Sequence, residues 1–241
     1  MKPLVIIPTY NEKENIQLII DAVMTLPSGF HMLIVDDNSP DGTQNLVKAS
    51  QKNYRERLHL LGRAGKMGLG TAYIAGFKYG LDHGYTHLIE MDADFSHPPE
   101  KLEELYEACK EDADISVGSR YIRNGGVKDW SWERIVLSRG ASIYVQLITQ
   151  MPVKDPTAGF VCYTDRVLKS INLDKIGFVG YAFQIEMKYV FWKHGFKIKE
   201  VPIVFKDREL GTSKMNVSII KEAILGVLKL RTRNIQSYYK R

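Results

Sequence analysis

Short runs of apolar residues alternate along this chain with longer segments in which apolar residues recur every three or four positions. The short runs are typical of buried strands, and they lie at Leu4–Pro8, Met32–Asp36, Leu58–Leu61, His87–Met91 and Ile115–Ser119. The periodic segments between them predict helices at Asn15–Met24, Thr43–Asn53, Gly70–His83 and Pro99–Lys110. This strand–helix order predicts an α/β domain with a mainly parallel sheet and a ligand site at the carboxyl ends of its strands.

The composition is that of a globular protein. The chain has 241 residues, of which 44% are hydrophobic and 25% charged, so it can bury the core of one α/β domain. Its net charge of +5 favours an anionic partner. We expect the two cysteines, Cys109 and Cys162, to be reduced and buried in a cytoplasmic protein. The first apolar run is too short for a signal peptide, and no apolar stretch reaches the ~20 residues of a membrane-spanning helix.

Two carboxylates follow the fourth predicted strand. Asp92 and Asp94 come directly after the apolar run that ends at Met91, and both can turn toward one divalent cation. Oxygen ligands with open, water-filled positions suit Mg²⁺ or Mn²⁺ that also binds a phosphate. Asp-x-Asp is common in turns as well, so two solvated loop acids are the alternative.

Carboxylates also follow the first two predicted strands. Glu12 and Asp37 are candidates to accept hydrogen bonds from a nucleotide base, and Tyr10 can lie against the base or the sugar. The alternative for residues 38–43 is a turn and a helix cap without a ligand.

A glycine-rich loop, residues 62–70, follows the third predicted strand. Its glycine spacing fits neither a Walker loop, since Met67 follows the lysine, nor a dinucleotide fingerprint, since Tyr73 occupies the third glycine position. We interpret it as a loop over a nucleotide sugar with Lys66 near the phosphates, and a plain strand-to-helix turn is the alternative.

A series of ordered motifs resembles the dolichol-phosphate (polyprenol-phosphate) mannose synthases, which are family-2 glycosyltransferases with a single, Rossmann-like GT-A domain. The motifs lie at residues 5–12, 35–43, 66–72, 91–98, 118–121, 132–140, 155–160 and 208–214. This resemblance implies transfer of mannose, with inversion, from GDP-mannose to dolichyl or polyprenyl monophosphate.

The resemblance also implies roles for individual residues. The guanosine is assigned to Pro8, Tyr10, Glu12, Val35 and Asp37, and the diphosphate and its metal to Asp92, Ala93 and Asp94. Arg208 and Lys214 are assigned to the diphosphate, and we expect them to act with Asp92 and Asp94 as the catalytic residues. The Mg²⁺ or Mn²⁺ ion stabilises the charge that grows on the GDP β-phosphate.

The metal ligands are expected close to Asp94. We predict that Asp94 binds the cation and that Asp92 acts beside it. Some relatives have Gln where this chain has Ser96, a poorer ligand whose role can pass to water or to His97. For His97 itself we expect a surface position.

The acceptor is a phosphate monoester, which is already ionised near neutral pH because its second pKa is about 6. No strong general base is then required, and cationic groups need only place the acceptor oxygen. The candidates are Arg120, Arg134 and Ser138, of which the last two match an Arg and a Ser that bind the lipid phosphate in the family. For Asp155 a structural and a catalytic role stay equally open.

We expect a catalytic domain over residues 1–214 and a basic, amphipathic helical tail over residues 215–241. One helical stripe of the tail is apolar and comprises Val217, Ile220, Ala223, Ile224, Val227 and Leu228. The tail either lies in a membrane interface or packs on the catalytic domain. The resemblance implies peripheral attachment to the cytoplasmic face of a membrane, either directly or through small membrane subunits. We expect no nucleic-acid partner.

Two other functions stay open. A related enzyme transfers glucose or N-acetylglucosamine from a UDP-sugar to the lipid phosphate, and an inactive nucleotide-binding subunit at a membrane is the second alternative. Polymer synthesis is disfavoured because Gln184 does not begin the Gln-x-x-Arg-Trp motif of processive synthases. The acids and cations assigned to catalysis are all present, which disfavours an inactive subunit.

Overall fold

The computed structural model describes residues 1–180, 182–207 and 226–240. The strands are Pro3–Thr9 (β1), His31–Asp36 (β2), Leu58–Gly62 (β3), His87–Glu90 (β4), Ile115–Ser119 (β5), Gly126–Lys128 (β6), Val161–Thr164 (β7), Ile198–Pro202 (β8) and Val204–Lys206 (β9). The helices are Ile16–Met24 (α1), Thr43–Ser50 (α2), Leu69–Asp82 (α3), Lys101–Glu111 (α4), Trp132–Thr149 (α5), Asp165–Lys169 (α6), Ala182–Lys193 (α7), residues 226–232 (α8), Ile235–Tyr238 (α9) and a short 3₁₀-helix at Leu173–Lys175. The expected strands and helices up to Ser119 are confirmed, with ends that differ by at most three residues.

A seven-stranded sheet in the order β3-β2-β1-β4-β7-β5-β8 forms the centre of the molecule. β1 pairs in parallel with β2 and β4, β2 with β3, and β5 with β8, so the mainly parallel sheet is confirmed. β7 runs antiparallel to both of its neighbours, β4 and β5. We did not expect this strand, because the direction of a strand depends on its connections and not on its own apolar pattern.

The strands on one side of the sheet end at the same edge. Thr9, the last residue of β1, is paired with Asp36, the last residue of β2, and Asp36 with Gly62 of β3. β4 ends beside β1, where Glu90 is opposite Ile6. The loops that follow these four strands therefore meet at one edge, as expected for the ligand site of a parallel sheet.

Helices cover both faces of the sheet, which explains why its strands are continuously apolar. Leu4 and Ile6 of β1 lie in a cluster with residues of α3, α6 and α7. Val5 and Ile7 lie in the cluster on the opposite face, with residues of α1, α2 and α4. All four side chains are fully buried. Alternation along one strand thus supplies both cores.

Two glycines let α3 lie directly on the sheet. A Cβ atom at Gly76 would collide with the side chain of Ile6, and one at Gly80 with that of Leu88. The absence of these side chains allows the helix to approach β1 and β4 closely. The N-terminus of α3 is thereby held at the edge where the strands end.

Part of the C-terminal tail packs on the domain. Val227, Leu230 and Tyr239 are buried in the same cluster as α3 and α7, whereas Leu228 is 46% exposed. Residues 226–240 therefore pack on the domain, which was one of the two alternatives for the tail. The other apolar positions of the expected stripe, residues 217, 220, 223 and 224, lie outside the described residues. Within the described part of the chain, no helix combines the length and apolarity needed to cross a membrane.

The two cysteines belong to the core. Cys109 and Cys162 are both buried and form no disulfide, as expected. The Cys109 Sγ lies 3.5 Å from the backbone carbonyl oxygen of Cys162, which links α4 to β7. These thiols therefore contribute to packing.

Candidate active site

Asp36 organises the first two strand ends. Its buried carboxylate accepts hydrogen bonds from the Thr9 hydroxyl (2.8 Å), from the backbone N–H and hydroxyl of Ser39 (2.9 and 2.6 Å) and from the Gln44 amide (2.7 Å). A carboxylate with this many donors is held in one orientation. Asp36 therefore shapes the loop in which the next residue, Asp37, is presented.

The turn after β2 also contacts the turn after β1. Thr43 accepts a hydrogen bond from the backbone N–H of Glu12, and Asp41 accepts one from the backbone N–H of Lys13. Asp41 also accepts hydrogen bonds from the backbone N–H and the hydroxyl of Thr43 at the start of α2. Residues 38–43 thus form the turn and the helix start that were the alternative to a ligand site. Asp37 precedes this turn and is not part of it.

Asp37 faces the glycine-rich loop. Its carboxylate accepts a hydrogen bond of 2.5 Å from Arg63 Nε, and both side chains are largely buried. The Lys66 ammonium lies 5.2 Å from the centre of the Tyr10 ring. Tyr10, Glu12 and Asp37 thus lie close to the glycine-rich loop that contains Lys66. Pro8 and Val35 are paired beneath them in the sheet. Their assignment to the nucleotide stays a prediction.

Asp94 is oriented by Ser96. Both the backbone N–H and the hydroxyl of Ser96 donate to Asp94 Oδ1, at 3.1 and 2.6 Å, and both residues are buried. Between them, Phe95 adopts a positive φ of 61°, which turns the chain sharply. Asp92 is more open, with a side chain that is 40% exposed. The structure thus presents two carboxylates of different accessibility at the end of β4.

His97 is buried, with only 3% of its surface exposed, so the expected surface position is wrong. Its ring stacks on Phe160 at a centroid distance of 5.0 Å, and its Nδ1 accepts a hydrogen bond of 3.1 Å from the backbone N–H of Asp92. Burial lowers the pKa of His97 to about 4. The neutral imidazole therefore holds the backbone of Asp92 in place through its Nδ1 atom.

The donor set fits a magnesium or manganese ion that is shared with a substrate. Asp92 and Asp94 supply carboxylate oxygens, and no group of three or more histidine, cysteine or acidic side chains suited to a metal occurs among the described residues. Mg²⁺ characteristically takes one or two carboxylates and completes its shell with water and phosphate oxygens. Bound here, the ion would supply positive charge to a departing diphosphate.

Two of the candidate acceptor residues, Arg120 and Arg134, lie beside Trp130. Arg120 is paired with Asp155 through two hydrogen bonds of 2.7 and 2.6 Å, and Asp155 is fully buried. The Arg134 guanidinium lies 3.9 Å from the Trp130 ring and pairs with Asp207 at 2.6 Å. Asp155 thus has a structural contact with a candidate phosphate ligand.

Ser138 belongs to the same cluster. It accepts a hydrogen bond of 2.7 Å from the hydroxyl of Tyr121, whose ring lies 5.1 Å from the Arg120 guanidinium. The Arg139 guanidinium lies 5.9 Å from the same ring. Tyr121 therefore joins Arg120 to Ser138, and the role of these two residues toward an acceptor phosphate stays a prediction.

Sequence reasoning missed Trp130. Its indole N–H is buried and has no hydrogen-bond partner in the described part of the chain. A tryptophan between two arginines has no spacing signal, because the three residues meet only through the fold. Residue 130 is one of two tryptophans separated by a single residue, and nothing in the local sequence distinguishes it from Trp132.

A buried polar network below Asp92 was also missed. Glu90 accepts a hydrogen bond of 2.8 Å from the Gln184 side chain, and the Lys188 ammonium donates to Gln184 and, at 2.6 Å, to the carbonyl of Ala158. Burial raises the pKa of Glu90 to about 8 and lowers the pKa of Lys188 to about 8. The network joins the strand that leads to Asp92 with the loop that contains Asp155. The only sign of this network in the sequence was an acidic residue, Glu90, within the apolar run His87–Met91.

α5 has an exposed apolar face. The side chains that form it are between 50% and 73% exposed, and they are Trp132, Val136, Leu137, Ile143 and Leu147. Ser142, Val145 and Thr149 lie on the buried side of the same helix. The same helix thus carries candidate acceptor ligands and an exposed apolar surface, on different sides.

Two predicted catalytic residues, Arg208 and Lys214, lie outside the described residues. The strand that precedes them, β9, ends near the candidate metal ligands, since the backbone N–H of Lys206 donates to the carbonyl of Ser96 at 3.4 Å. Their assignment to the diphosphate stays a prediction.

Comparison with known proteins identifies the family of this chain. The model of glycosyl transferase family 2 matches residues 4–176, which include the ends of β1, β2, β3 and β4. The chain belongs to glycosyl transferase family 2. It is therefore a glycosyltransferase, and the resemblance noted in the sequence is confirmed.

Curated relatives in this family match nearly the whole chain. A polyprenol monophosphomannose synthase of Mycolicibacterium smegmatis is 46% identical over 94% of this chain and 85% of the relative. An undecaprenyl-phosphate mannosyltransferase of Micrococcus luteus is 42% identical over 95% of this chain and 93% of the relative.

Solved structures share the fold. A glucosyl-3-phosphoglycerate synthase of Mycobacterium tuberculosis, in complex with Mn²⁺, UDP and phosphoglyceric acid, superposes with a TM-score of 0.70 at 16% identity. The match covers 96% of this chain and 78% of that chain. The expected GT-A fold is confirmed.

Proposed function

We propose that this glycosyltransferase moves mannose from GDP-mannose to a polyprenyl or dolichyl monophosphate, with inversion at the anomeric carbon. The observation that carries the proposal is identity above 40% to two polyprenyl-phosphate mannosyltransferases over at least 94% of the chain. Two features of the structure support it, namely carboxylates that suit a cation and a separate group of arginines.

On the donor side, Asp37 and Glu12 would receive the base, and Asp94 and Asp92 the cation that binds the diphosphate. Asp94 is already oriented by Ser96, and the backbone of Asp92 by His97. Groups that need no reorganisation stabilise a departing diphosphate most effectively. The chain's contribution to catalysis on this side is thus a rigid cation site.

On the acceptor side, Arg120, Arg134 and Ser138 would hold the lipid phosphate. The carboxylates of Asp155 and Asp207 keep the two guanidinium groups in place. Since the acceptor is already ionised, its oxygen attacks without giving up a proton to a base. The arginines then act by placing that oxygen behind the anomeric carbon.

We also propose that the enzyme lies peripherally on the cytoplasmic face of a membrane and that the apolar face of α5 contacts the lipid. Trp132, Val136, Ile143 and Leu147 recur at spacings of four and seven residues, which places them on one side of the helix. The candidate phosphate ligands Arg134 and Ser138 belong to the same helix. A hydrocarbon chain attached to that phosphate would then stay in the lipid.

The decisive experiment incubates purified protein with polyprenyl phosphate and labelled GDP-mannose, UDP-glucose or UDP-N-acetylglucosamine, with and without Mn²⁺. We expect lipid-linked label from GDP-mannose only, and only with the metal. Label from a UDP-sugar and none from GDP-mannose would overturn the proposed donor.

A further inference from the structure

The C-terminal tail contacts a loop that leads toward the donor side of the site. This loop, residues 176–180, is called here the bridging loop. Glu186 of α7 joins it to the tail: one carboxylate oxygen accepts hydrogen bonds of 2.9 Å from the backbone N–H groups of Gly177 and Phe178. Its other oxygen accepts a hydrogen bond of 2.5 Å from the Tyr239 hydroxyl.

The tail also covers the bridging loop by packing. A Cβ atom at Gly226 would lie 2.7 Å from the ring of Phe178, so α8 lies directly against that ring. The Arg233 guanidinium is 3.6 Å from the Glu186 carboxylate. The backbone N–H of Asn172 donates to the carbonyl of Tyr239 at 2.9 Å. The loop and the tail are therefore fixed to each other by packing and by hydrogen bonds.

On its other side the bridging loop holds the start of α3. The backbone N–H of Gly70 donates to the carbonyl of Val179 at 2.9 Å. A Cβ atom at Gly70 would lie 2.7 Å from the carbonyl oxygen of Phe178, so the two backbones touch. The first turn of α3 has N–H groups without partners inside the helix, and Val179 satisfies one of them.

The same turn is joined to Asp37. Arg63 donates from Nη1 to the Thr71 hydroxyl at 2.8 Å, from Nη2 to the carbonyl of Gly68 at 3.4 Å, and from Nε to Asp37 at 2.5 Å. Hydrogen bonds and backbone contacts thus run without a gap from the Tyr239 hydroxyl to a candidate base ligand. Because hydrogen bonds are directional, these contacts provide a continuous connection between the bridging loop and Arg63 and Asp37.

We propose that Glu186 and Tyr239 are positioning residues for the sugar nucleotide, and that they act through the bridging loop on the glycine-rich loop and Asp37. The proposal rests on the proposed function, because it assigns the nucleotide to these loops. It gives the tail a role at the donor site that is separate from any contact with lipid.

The test compares Tyr239→Phe with Tyr238→Phe. Both variants lose one hydroxyl and keep the ring, but Tyr239 is buried against Glu186 whereas Tyr238 is exposed. Three quantities are measured on the full-length protein: hydrogen exchange of the Gly70 and Phe178 amides, KM for GDP-mannose, and KM for polyprenyl phosphate.

For Tyr239→Phe we expect about tenfold faster exchange at both amides, because a hydrogen bond to a buried carboxylate is lost. The KM for GDP-mannose should rise several-fold while the KM for polyprenyl phosphate stays within about twofold of wild type. Tyr238→Phe should behave as wild type in all three measurements.

The proposal is overturned if exchange at Gly70 is unchanged, if the donor KM is unchanged, or if both KM values rise together, since a general loss of structure acts on both substrates. If no lipid-linked sugar forms at all, the proposed function fails. Exchange at Gly70 and calorimetric binding of GDP and of UDP to the two variants then decide the inference separately.

Discussion

At the scale of single residues, the site depends on donors that fix a carboxylate without cancelling its charge. Ser96 donates twice to Asp94 Oδ1, and neither donor is cationic. The carboxylate is therefore oriented in a buried position, where charges attract a divalent cation more strongly than they do in water. This arrangement leads to a test in which charge is removed and shape is kept.

Asp94→Asn should lower kcat by about 10²- to 10³-fold, because the amide oxygen can still accept from Ser96 but no longer binds a cation well. Mn²⁺ binding, followed by electron paramagnetic resonance, should weaken in parallel. The control is Asp82→Asn at the exposed end of α3, which should change neither quantity. Full activity in Asp94→Asn would contradict the metal mechanism.

A second prediction at this scale concerns acid stability. The Tyr85 hydroxyl lies 2.9 Å from both His31 Nδ1 and His59 Nε2, at the edge of the sheet opposite the site. Burial, together with the charge of Lys2, lowers the pKa of His31 from 6.5 to about 4. Between these values the unfolded chain binds a proton that the folded protein does not, so stability falls as the pH falls from 6.5 to about 4.

His31→Gln should therefore make the urea midpoint less dependent on pH within this window. The exposed His83, replaced by Gln, serves as the control and should leave the pH dependence as in wild type. Equal slopes for His31→Gln and wild type would show that His31 does not titrate in this way.

At the scale of elements, α5 differs from the other helices around the sheet because five of its large apolar residues are exposed. Only Ser142, Val145 and Thr149 of this helix are buried, so its apolar face does not stabilise the core. An exposed apolar stripe of this length marks an interaction surface.

Adding Glu at both Val136 and Leu147 should reduce sedimentation with vesicles of phosphatidylcholine and phosphatidylglycerol at least about tenfold, since charge on the apolar face opposes insertion. Ala141→Glu adds a charge to an exposed position of the same helix, on a different side from Val136 and Leu147, and should have little effect. The KM for GDP-mannose should be unchanged in both. Unchanged sedimentation of the double variant would remove α5 from the membrane contact.

The elements also show where sequence reasoning stops. The sequence predicted a strand followed by an acidic residue at Asp37 and at Asp92, because an apolar run and the acid that follows it are neighbours along the chain. The burial of His97 was not, because Phe160 and Phe205, which enclose its ring, come from distant parts of the chain. The antiparallel direction of β7 was equally hidden, since no local pattern encodes it.

At the scale of the whole molecule, the C-terminal tail packs in the same core as the first strand. Leu230 and Tyr239 from the tail join the cluster that contains Leu4 and Ile6 from the first strand. Residues far apart along the chain thus share one core, and the stability of the domain depends on the tail.

Leu230→Ala should lower the free energy of unfolding by about 2–5 kcal/mol, because it leaves a cavity in this core. Leu228→Ala, two residues earlier and 46% exposed, should cost less than about 0.5 kcal/mol. Urea unfolding of the two variants measures both values. Equal effects would show that the tail does not belong to the cooperative unit.

The position of β7 has a consequence for biosynthesis. β4 and β5 are successive strands, yet β7 lies between them in the sheet. While the chain is being synthesised, β1 to β4 can pair as soon as they emerge from the ribosome, but β5 has no neighbour until Val161–Thr164 follow. During this interval the nascent chain therefore exposes one unpaired edge of β4 and both edges of β5. We expect ribosome-bound chains from which Ser119 has emerged, but Val161 has not, to be the most prone to aggregate and the most dependent on chaperones.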